Sequence, residues 1–544
     1  MSDAANNTSK QIRLPLLLAA VLAAGMFIGQ QLPHGGGLVR FFPGGQRAGI
    51  GGTVDEVLRY VEARYVDSLN MDSLRTKTIE QILNQLDPHS VYISPDELKA
   101  IEEDMKGNFV GIGIEYLQEK DTIRIESVLA GGPSEAAGLL AGDKMISIND
   151  TLIAGQKMRS GEVIRKLRGD KGSKVKVGIL RGQETAQRYF EIARDVIPLK
   201  SVDIAYMLDS QNGYVKVLRF SERTQEEFVN ALKVLVDEKG MRNLVLDLRG
   251  NPGGSLRAAT DMLGEIFPKG KLLVYTEGSK ERRTEYESNG INRFNIQHVV
   301  VLIDENSASA SEIVAGAIQD WDRGWVVGRR SYGKGLVQEQ YPLSNGGAVR
   351  ITVARYFTPS GRNIQKPYKN NTNYAADANQ RLHNGELTDP TRYHQNDTTK
   401  FYTGLGRIVY GGGGVSPDVF IPLDTTYINP YFTAMRPKVA LFVARYMEQN
   451  GKSAFPADAG VFVKTYKVPE SMLQAFVAFG EAEGVKLQAE QFNRSKVTLS
   501  EALKQRLAKV LFGEIGFYQA QNYDDPAVEK ALQLLQSNMP MPVK

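Results

Sequence analysis

The spacing of hydrophobic residues changes along the chain, and each change marks a new region. Residues 53–106 carry apolar side chains at helical spacing, as at Val57 and Val61, which predicts a helical N-terminal unit. Residues 107–196 instead contain short alternating strands with two helical stretches between them, a pattern typical of a small barrel-like module. A helical unit followed by a mostly β module is therefore expected.

The pattern changes again after the β module. Short, almost wholly apolar runs at residues 244–248 and 299–303 are typical of strands buried on both faces of a sheet, and helical stretches lie between them. An α/β layered domain is expected over residues 197–424, with the polar stretch 367–407 as a surface insertion. Amphipathic stretches predict a helical C-terminal unit over residues 425–544. The predicted fold class is α/β multidomain.

The N-terminus has the composition of a membrane anchor. Residues 14–29 are apolar or small, and no charged side chain occurs between Arg13 and Arg40. A gap of this length can cross a hydrocarbon core of about 30 Å. Lys10 and Arg13 precede the run, so the N-terminus is expected to stay in the cytoplasm while the rest of the chain is exported.

These features predict a cytoplasmic N-terminus at residues 1–13, a transmembrane signal-anchor at residues 14–34 and a linker at residues 35–52. No clear small-x-small cleavage site follows the apolar run, which favours an uncleaved anchor over a cleaved signal peptide. The exported part is therefore expected in the cell envelope, anchored to the inner membrane and periplasmic in a Gram-negative bacterium.

Composition narrows the chemistry. Apolar residues make up 42% and charged residues 24% of the 544, an ordinary globular mixture that suggests three or four compact units. A net charge of +4 over this length is too dilute for a nucleic-acid footprint, so no nucleic-acid partner is expected. The absence of cysteine excludes disulfides and thiol nucleophiles. The five histidines lack metal-ligand spacing, so neither a metal nor a cofactor is expected, and catalysis must use a base other than imidazole.

A serine-rich segment after the second apolar run is the first candidate for chemistry. Ser307, Ser309 and Ser311 alternate with alanine just before a helical stretch. A hydroxyl at a helix N-terminus lies where free amides and the positive end of the dipole favour a developing oxyanion. One of these serines is therefore a candidate nucleophile, although a serine at this position is more often a helix cap.

A serine nucleophile needs a base, and lysine serves if burial lowers its pKa enough to give a neutral amine. Lys334 lies between two glycines and is followed by apolar residues. Most lysines are solvated, so a surface turn is the plain alternative for this residue. Upstream, Asn251-Pro252-Gly253-Gly254 ends a predicted buried strand, and its glycines can present an outward amide without a Cβ in the way.

Together these segments carry a family resemblance. Ser-Ala-Ser-Ala-Ser-Glu-Ile at residues 307–313, then Gly-Lys-Gly with Gln338 four residues past the lysine, closely resembles the carboxyl-terminal processing peptidases, the tail-specific serine proteases with a Ser/Lys pair. Segments at residues 87–90, 246–254, 358–362 and 414–418 also match, so the likeness spans about residues 54–423. The barrel-like module resembles a PDZ domain through residues 132–149.

The resemblance implies a crotonase/Clp-protease-like α/β peptidase core with an inserted PDZ-like domain. It places the nucleophile at Ser309, the base at Lys334 and the residue that orients the base at Gln338. The oxyanion would be held by the amide of Ala310 together with that of Gly253 or Gly254. The serine, lysine and glycine turn would then act as one peptidase centre.

The PDZ resemblance implies β-augmentation, in which a peptide adds a strand to a sheet edge and its terminal carboxylate meets backbone amides. The residues expected to bind it are Gly111, Ile112, Gly113 and Ile114. Arg168 is a further candidate, either for the carboxylate or for coupling the two domains, against the alternative of a solvent-facing turn arginine.

The expected partners are proteins or peptides with free C-termini, the membrane through the N-terminal segment, and a second copy of the chain through the N- or C-terminal helical unit. Two other functions stay open: a catalytically silent, membrane-tethered PDZ adaptor, and a crotonase-like acyl-CoA enzyme. Intact Ser309, Lys334 and Gln338 count against the adaptor, and the PDZ-like module and export count against the acyl-CoA enzyme.

Overall fold

The computed structural model describes residues 52–119, 121–202, 204–368, 374–392 and 398–537, and the chain divides into two units, residues 1–77 and 78–544. The predicted cytoplasmic N-terminus and signal-anchor, and nearly all of the linker, lie outside the described residues. None of the helices in the described ranges is long and apolar enough to cross a membrane.

The described part of the first unit is helical. Helix α1 (Thr53–Arg64) buries none of its residues, and Asp55 and Glu56 in its first turn suit the positive end of the helix dipole. Helix α2 (Met71–Leu83) begins in this unit and continues into the second. Within the predicted helical N-terminal unit the structure also contains a short strand, β1 (Val91–Ile93), followed by helix α3 (Pro95–Lys106).

Helix α3 has a complete N-terminal cap. The Ser94 hydroxyl accepts a hydrogen bond from the Glu97 amide at 3.4 Å, and the Glu97 carboxylate accepts one from the Ser94 amide at 3.0 Å. The helix ends at Gly107, whose φ of 70° is a conformation that glycine adopts without strain. The chain then enters the β module.

The β module forms one six-stranded sheet with two helices, and a separate pair of strands, β2 and β9, joins it to its neighbours. Its sheet runs in the order β3-β4-β5-β7-β8, with β6 paired to β5, so β3 is an edge strand. The elements are β2 (Asn108–Gly111), β3 (Ile114–Glu119), β4 (Thr122–Val128), α4 (Pro133–Ala137), β5 (Lys144–Ile148), β6 (Thr151–Leu152), α5 (Ser160–Leu167), β7 (Lys174–Leu180), β8 (Arg188–Ala193) and β9 (Asp195–Pro198).

The α/β region contains two sheets. Its first part comprises β10 (Ile204–Met207), β11 (Asn212–Lys216), α6 (Thr224–Lys233), a π-helical turn (Val234–Glu238), β12 (Asn243–Asp247), α7 (Leu256–Leu263), β13 (Leu272–Glu277), β14 (Thr284–Glu287), β15 (His298–Ile303), α8 (Ala310–Asp320) and β16 (Gly324–Gly328). Its second part comprises β17 (Leu336–Pro342), β18 (Ala348–Phe357), α9 (Asp377–His383), β19 (Lys400–Tyr402), β20 (Ile408–Tyr410) and β21 (Val419–Phe420), with short 3₁₀ turns at Tyr374–Ala376 and Pro390–Arg392.

The larger sheet positions the candidate chemistry. It runs β10-β11-β12-β15-β16-β21, and all pairs except β10 with β11 are parallel. The two apolar runs of the sequence form its central strands β12 and β15, which lie side by side. The carboxyl ends of parallel neighbours meet at one edge of a sheet. The glycine turn after β12 and the serine segment after β15 are therefore adjacent.

A second, antiparallel sheet runs β1-β18-β13-β14, with β17 also paired to β18. A large apolar core packs α6, α7 and α8 against one face of the parallel sheet, and includes Leu232, Leu263, Val301 and Val314. Burial of these side chains stabilises the layers at roughly 25 cal/mol for each Å² of apolar surface removed from water.

The C-terminal unit is helical throughout its regular structure. It comprises α10 (Pro430–Met435), a 3₁₀ turn (Arg436–Lys438), α11 (Val439–Asn450), α12 (Ala459–Thr465), α13 (Glu470–Ala482), α14 (Ala489–Asn522) and α15 (Pro526–Gln536). Helices α10 to α14 share a core of their own, whereas α15 packs on the other face of the parallel sheet through residues such as Val528 and Leu535. Helix α14 is kinked at Gly513, where φ is 72°.

Candidate active site

Ser309 lies directly before helix α8, where β15 gives way to the helix. Its φ of 54° and ψ of −112° are uncommon for a residue with a Cβ, and such strain persists only where the surroundings hold it. The side chain is half-buried and lines a cavity of about 830 Å³. The next residue, Ala310, is the first residue of α8 and is buried.

Lys334 lies in the loop between β16 and β17 and lines the same cavity. The preceding Gly333 has a φ of 88°, and a Cβ there would approach the backbone of Gly413 and Gly414 within about 3.2 Å. A glycine is therefore required before the lysine. The fold brings Ser309 and Lys334 together from two sides of one cavity, although 25 residues separate them in sequence.

A buried carboxylate ties the two segments by their amides. Glu312 is fully buried, and its Oε2 accepts hydrogen bonds from the amides of Ser309 at 2.8 Å and Lys334 at 2.9 Å. Its Oε1 accepts from the Ser331 hydroxyl at 2.5 Å and the Gly333 amide at 2.7 Å. One side chain thus holds the backbone of both candidate residues.

Tyr356 on β18 ties the same two segments by their carbonyls. Its hydroxyl is positioned to donate to the carbonyl of Lys334 at 2.6 Å and to that of Ser309 at 3.1 Å. The ring is buried and the residue also lines the cavity. Glu312 and Tyr356 together restrain the serine and the lysine from both the amide and the carbonyl side.

The surroundings of Lys334 favour its neutral form. Burial lowers the pKa of Lys334, and the nearby Arg350 lowers it further, whereas Glu312 and Asp87 oppose the shift. Burial raises the pKa of Glu312 to about 7, against the effect of its four hydrogen-bond donors. The site therefore combines a lysine shifted towards the free amine with a carboxyl shifted towards the neutral acid.

Gln338 lies on β17 and lines the cavity with Ser309 and Lys334. Its Nε2 is 3.5 Å from the Thr352 Oγ1 on the neighbouring strand, and Thr352 Oγ1 donates to Asp87 at 3.1 Å. Asp87 also accepts from Ser90 Oγ at 2.7 Å. The Asp-Pro-His-Ser turn of the sequence therefore braces β18, the strand paired with the one that carries Gln338.

The glycine turn lies against the serine. A Cβ added to Gly253 would be 2.7 Å from the Cβ of Ser309 and 2.9 Å from the Ala310 amide, so only glycine permits this approach. The Gly253 amide donates to the Asn251 side chain at 2.8 Å. Gly254, with a φ of 138°, lines the cavity.

The residues expected to accept a peptide lie at the start of the free edge of the β module. Gly111 ends β2, Ile112 is buried in the module core, Gly113 has a φ of 72°, and Ile114 begins β3. Arg168 reaches outside the module: it donates to Glu103 on α3 at 2.8 Å, and it also lies over the ring of Phe109 on β2 at 4.5 Å. It therefore connects the β module to the helix whose residues Ile101 and Met105 line the cavity.

Two residues of this site were not assigned a role from the sequence. Glu312 follows Ser309 by three positions, the Ser-x-x-Glu spacing of a helix capping box, so its contact with the Ser309 amide had a local signal. Tyr356 had none, because its partners are 47 and 22 residues away. In the described residues no group of three or more acidic or histidine side chains is placed to hold a metal ion.

Comparison with known families gives three matches. Residues 211–372 match peptidase family S41, residues 124–181 match the PDZ domain, and residues 435–513 match a family of unknown function.

Solved structures give further similarities. A photosystem II D1 C-terminal processing protease is 26% identical, and the match covers 69% of this chain and 88% of that chain with a TM-score of 0.34. The PDZ domain of a carboxy-terminal protease from Vibrio cholerae, solved with a peptide, is 31% identical over 17% of this chain and 99% of that one, with a TM-score of 0.16.

Curated relatives match more than half of the chain. A carboxy-terminal-processing protease of Bartonella bacilliformis is 35% identical over 321 residues, which are 57% of this chain and 71% of the relative. The carboxy-terminal processing protease CtpB of Bacillus subtilis is 34% identical over 316 residues, 58% of this chain and 65% of the relative. With the S41 and PDZ matches, these similarities show that the chain belongs to the carboxy-terminal-processing protease family, serine-type peptidases of family S41, here with a PDZ domain.

Proposed function

We propose that the chain is an endopeptidase of the cell envelope that binds the free C-terminal tail of a protein through its PDZ domain and cleaves through a Ser309/Lys334 pair. The observation that carries this proposal is the cavity lined by Ser309, Lys334 and Gln338, with the serine and lysine backbones tied together by Glu312 and Tyr356. The layered core is assigned to the crotonase/Clp-protease-like type, which the parallel sheet with helices on its faces supports.

In this mechanism the neutral amine of Lys334 takes the proton from Ser309 Oγ while the oxygen attacks the scissile carbonyl. The negative charge that develops on the carbonyl oxygen is stabilised by the Ala310 amide and a second amide, either that of Gly254 or that of Gly253, which would have to leave its bond to Asn251. Lys334, now an ammonium, returns the proton to the leaving amine. Water then attacks the acyl-enzyme, with Lys334 as base, and releases the second product.

Tail binding is assigned to the free edge of β3. A peptide added there as a further strand would place its terminal carboxylate at the residues from Gly111 to Ile114. We assign the N-terminal segment to a membrane anchor with the described part on the exported side, and the helical terminal units to contacts with a second copy. The charge and hydropathy of the N-terminal segment support the anchor.

The test is peptide cleavage by the full-length chain. Ser309→Ala and Lys334→Ala are each expected to lower turnover by at least about 1,000-fold without loss of C-terminal peptide binding, because the two groups act as a unit. Ser94→Ala is the matched control, because Ser94 caps α3 with the same Ser-x-x-Glu arrangement. This substitution is expected to lower stability by about 1 kcal/mol and to leave turnover unchanged. Turnover retained by S309A would contradict the mechanism.

The same assay includes two further comparisons. A substrate with a free C-terminal carboxylate is expected to be cleaved faster than its C-terminal amide, and equal rates would contradict tail recognition. Turnover is expected to fall as pH falls through the lowered pKa of Lys334, because protonation removes the base. A chain that binds free tails but cleaves no peptide at any pH would instead be the silent PDZ adaptor.

A further inference from the structure

A buried ion cluster lies beneath the glycine turn that follows β12. Asp247, the last residue of β12, accepts hydrogen bonds from Tyr214 at 2.7 Å, Lys216 at 3.1 Å and Arg249 at 2.7 Å. Burial opposes ionisation of Asp247, but the two cations Arg249 and Lys216 hold its pKa below the usual range. Asp247 is therefore a carboxylate, and on its own it balances only one of the two cations.

The balancing charge comes from the C-terminal helical unit. The Arg249 Nη1 donates to Asp525 Oδ2 at 2.7 Å, and both side chains are mostly buried. Two carboxylates and two cations then make a neutral cluster that joins residues 276 positions apart. Removal of the Asp525 charge would leave a partly buried positive charge unbalanced beside the turn, which is costly at low dielectric.

Asp525 is held rigidly in this position. Its Oδ1 caps helix α15 by accepting from the amides of Ala527 at 2.8 Å and Val528 at 3.1 Å. Helix α15 is fixed in turn by its apolar packing on the parallel sheet. One oxygen of the Asp525 carboxylate therefore accepts hydrogen bonds from α15, and the other accepts one from Arg249.

Arg249 connects this cluster to the catalytic cavity. It directly precedes the turn Gly250-Asn251-Pro252-Gly253-Gly254, and its backbone carbonyl accepts a hydrogen bond from Lys216. Gly253 lies against Ser309, and Gly254 lines the cavity. A shift of the Arg249 backbone would therefore move the glycine turn that borders the cavity and Ser309.

We propose that Asp525 is a positioning residue for the oxyanion-binding turn, acting through Arg249, so that the C-terminal unit forms part of the catalytic apparatus. This inference rests on the proposed function, because it takes the glycine turn to supply an oxyanion donor. Asp525 is not among the residues that line the cavity, and its effect is on the placement of the turn.

The test uses Asp525→Asn in the full-length chain. Asparagine keeps an oxygen for the cap of α15 but removes the charge that faces Arg249. Loss of one oxyanion donor costs about 100-fold or more in kcat, so an indirect displacement is expected to lower kcat by about tenfold with KM unchanged. The matched control is Asp458→Asn, because Asp458 caps α12 in the same unit through the Val461 amide at 2.8 Å, and its kcat is expected to stay at the wild-type value.

A second readout separates positioning from general stability. A peptide boronate forms a tetrahedral adduct with the serine, whereas a cleaved product peptide binds without one. Asp525→Asn is expected to weaken boronate binding by about tenfold and to leave product-peptide binding unchanged. Asp525→Ser, which retains a capping hydroxyl without a charge, should behave like the asparagine variant.

The outcomes are distinguishable. Wild-type kcat in both Asp525 variants overturns the inference while S309A remains inactive and the proposed function stands. Equal weakening of boronate and product binding, accompanied by a lowered melting temperature in both variants, also overturns it, since the role would then be structural. Turnover retained by S309A would overturn the proposed function and this inference with it.

Discussion

Glu312 is buried without a cation among its four hydrogen-bond partners, all of which are donors on the segments of Ser309 and Lys334. Each donor needs an acceptor, since an unsatisfied buried group costs about 1–3 kcal/mol. The pKa of about 7 that burial gives this carboxyl means that it pays a desolvation penalty to remain ionised at neutral pH. The hydrogen bonds of this carboxylate offset the penalty. They fix the position of the Ser309 segment relative to the Lys334 segment.

Glu312→Gln is expected to lower both stability and turnover. An amide group has one acceptor oxygen and would turn its NH₂ towards amides or a hydroxyl that also donate, which leaves at least one donor unsatisfied at about 1–3 kcal/mol. We expect kcat to fall by at least about tenfold, measured by peptide cleavage, and the melting temperature to fall in a thermal scan.

The control for this variant is Glu265→Gln. Glu265 is also fully buried, but it pairs with Arg293 away from the catalytic cavity. Its replacement is expected to lower the melting temperature and to leave kcat unchanged. If Glu312→Gln showed the same pattern as Glu265→Gln, Glu312 would have no part in positioning the catalytic pair.

At the scale of elements, the polar insertion is not confined to the surface, because one of its side chains is buried against the loop that carries Lys334. The sequence predicts a surface insertion over residues 367–407, and the structure forms helix α9 and strand β19 within it, with β20 directly after it. Arg381 of α9 is buried and donates to the carbonyls of Arg330 at 2.6 Å and Ser331 at 3.1 Å. Its Nε donates to Glu386 at 2.9 Å. The insertion therefore supports the loop that carries Lys334.

Arg381→Ala is expected to destabilise this loop. It leaves two backbone carbonyls and the buried carboxylate of Glu386 with one partner fewer, and breaking a buried ion pair costs about 3–5 kcal/mol. We expect a lower melting temperature and reduced peptide cleavage. Arg392→Ala is the control, because Arg392 in the same insertion is exposed, and its pairing with Asp389 is worth little. Unchanged cleavage in Arg381→Ala would show that the loop is held without the insertion.

At the scale of the whole second unit, the C-terminal helices contact the PDZ domain through charge pairs on its edge strand β3 and on the neighbouring strand β4. Arg445 of α11 pairs with Glu119 of β3 at 2.5 Å, and Lys509 of α14 lies 3.4 Å from Glu115. Arg124 and Glu126 of β4 pair with further residues of the same helices, which are Glu448 and Arg506. The strand whose free edge is proposed to take a peptide is thus held from outside by the C-terminal unit.

Arg445→Glu is expected to loosen this contact, since it places two carboxylates opposite each other. The reversal should speed amide hydrogen exchange in residues 114–128, and added salt should reduce the difference from wild type because it screens the charges. Lys496→Glu is the control, because its partner Glu470 lies within the C-terminal unit. Exchange rates equal to wild type in residues 114–128 would mean that the charge pairs do not hold the PDZ strands.

The sequence by itself determined the order of the modules, the two buried strands and the segments that carry Ser309, Lys334, Gln338 and the glycine turn. These are local properties, because the periods of strands and helices, the capping residues and the glycine turns each depend on residues close together in the sequence. Family membership followed from the same motifs and is shown by the relatives. Gln338 illustrates the limit: its position came from the motif, but its contact with Thr352 depends on the pairing of two strands.

Only the tertiary structure decided how the lysine is buried, how Tyr356 holds the segments of Ser309 and Lys334, and that Asp525 pairs with Arg249 before the glycine turn. Each of these depends on side chains brought together from distant elements, with 276 residues between Arg249 and Asp525. Burial and charge balance are properties of the assembled layers, since a pKa shift or an ion pair requires the solvent to be excluded by the rest of the fold. The C-terminal unit shows this most clearly: its pattern predicted helices, while its contacts with the PDZ strands and with Arg249 beside the glycine turn arise only when the chain is folded.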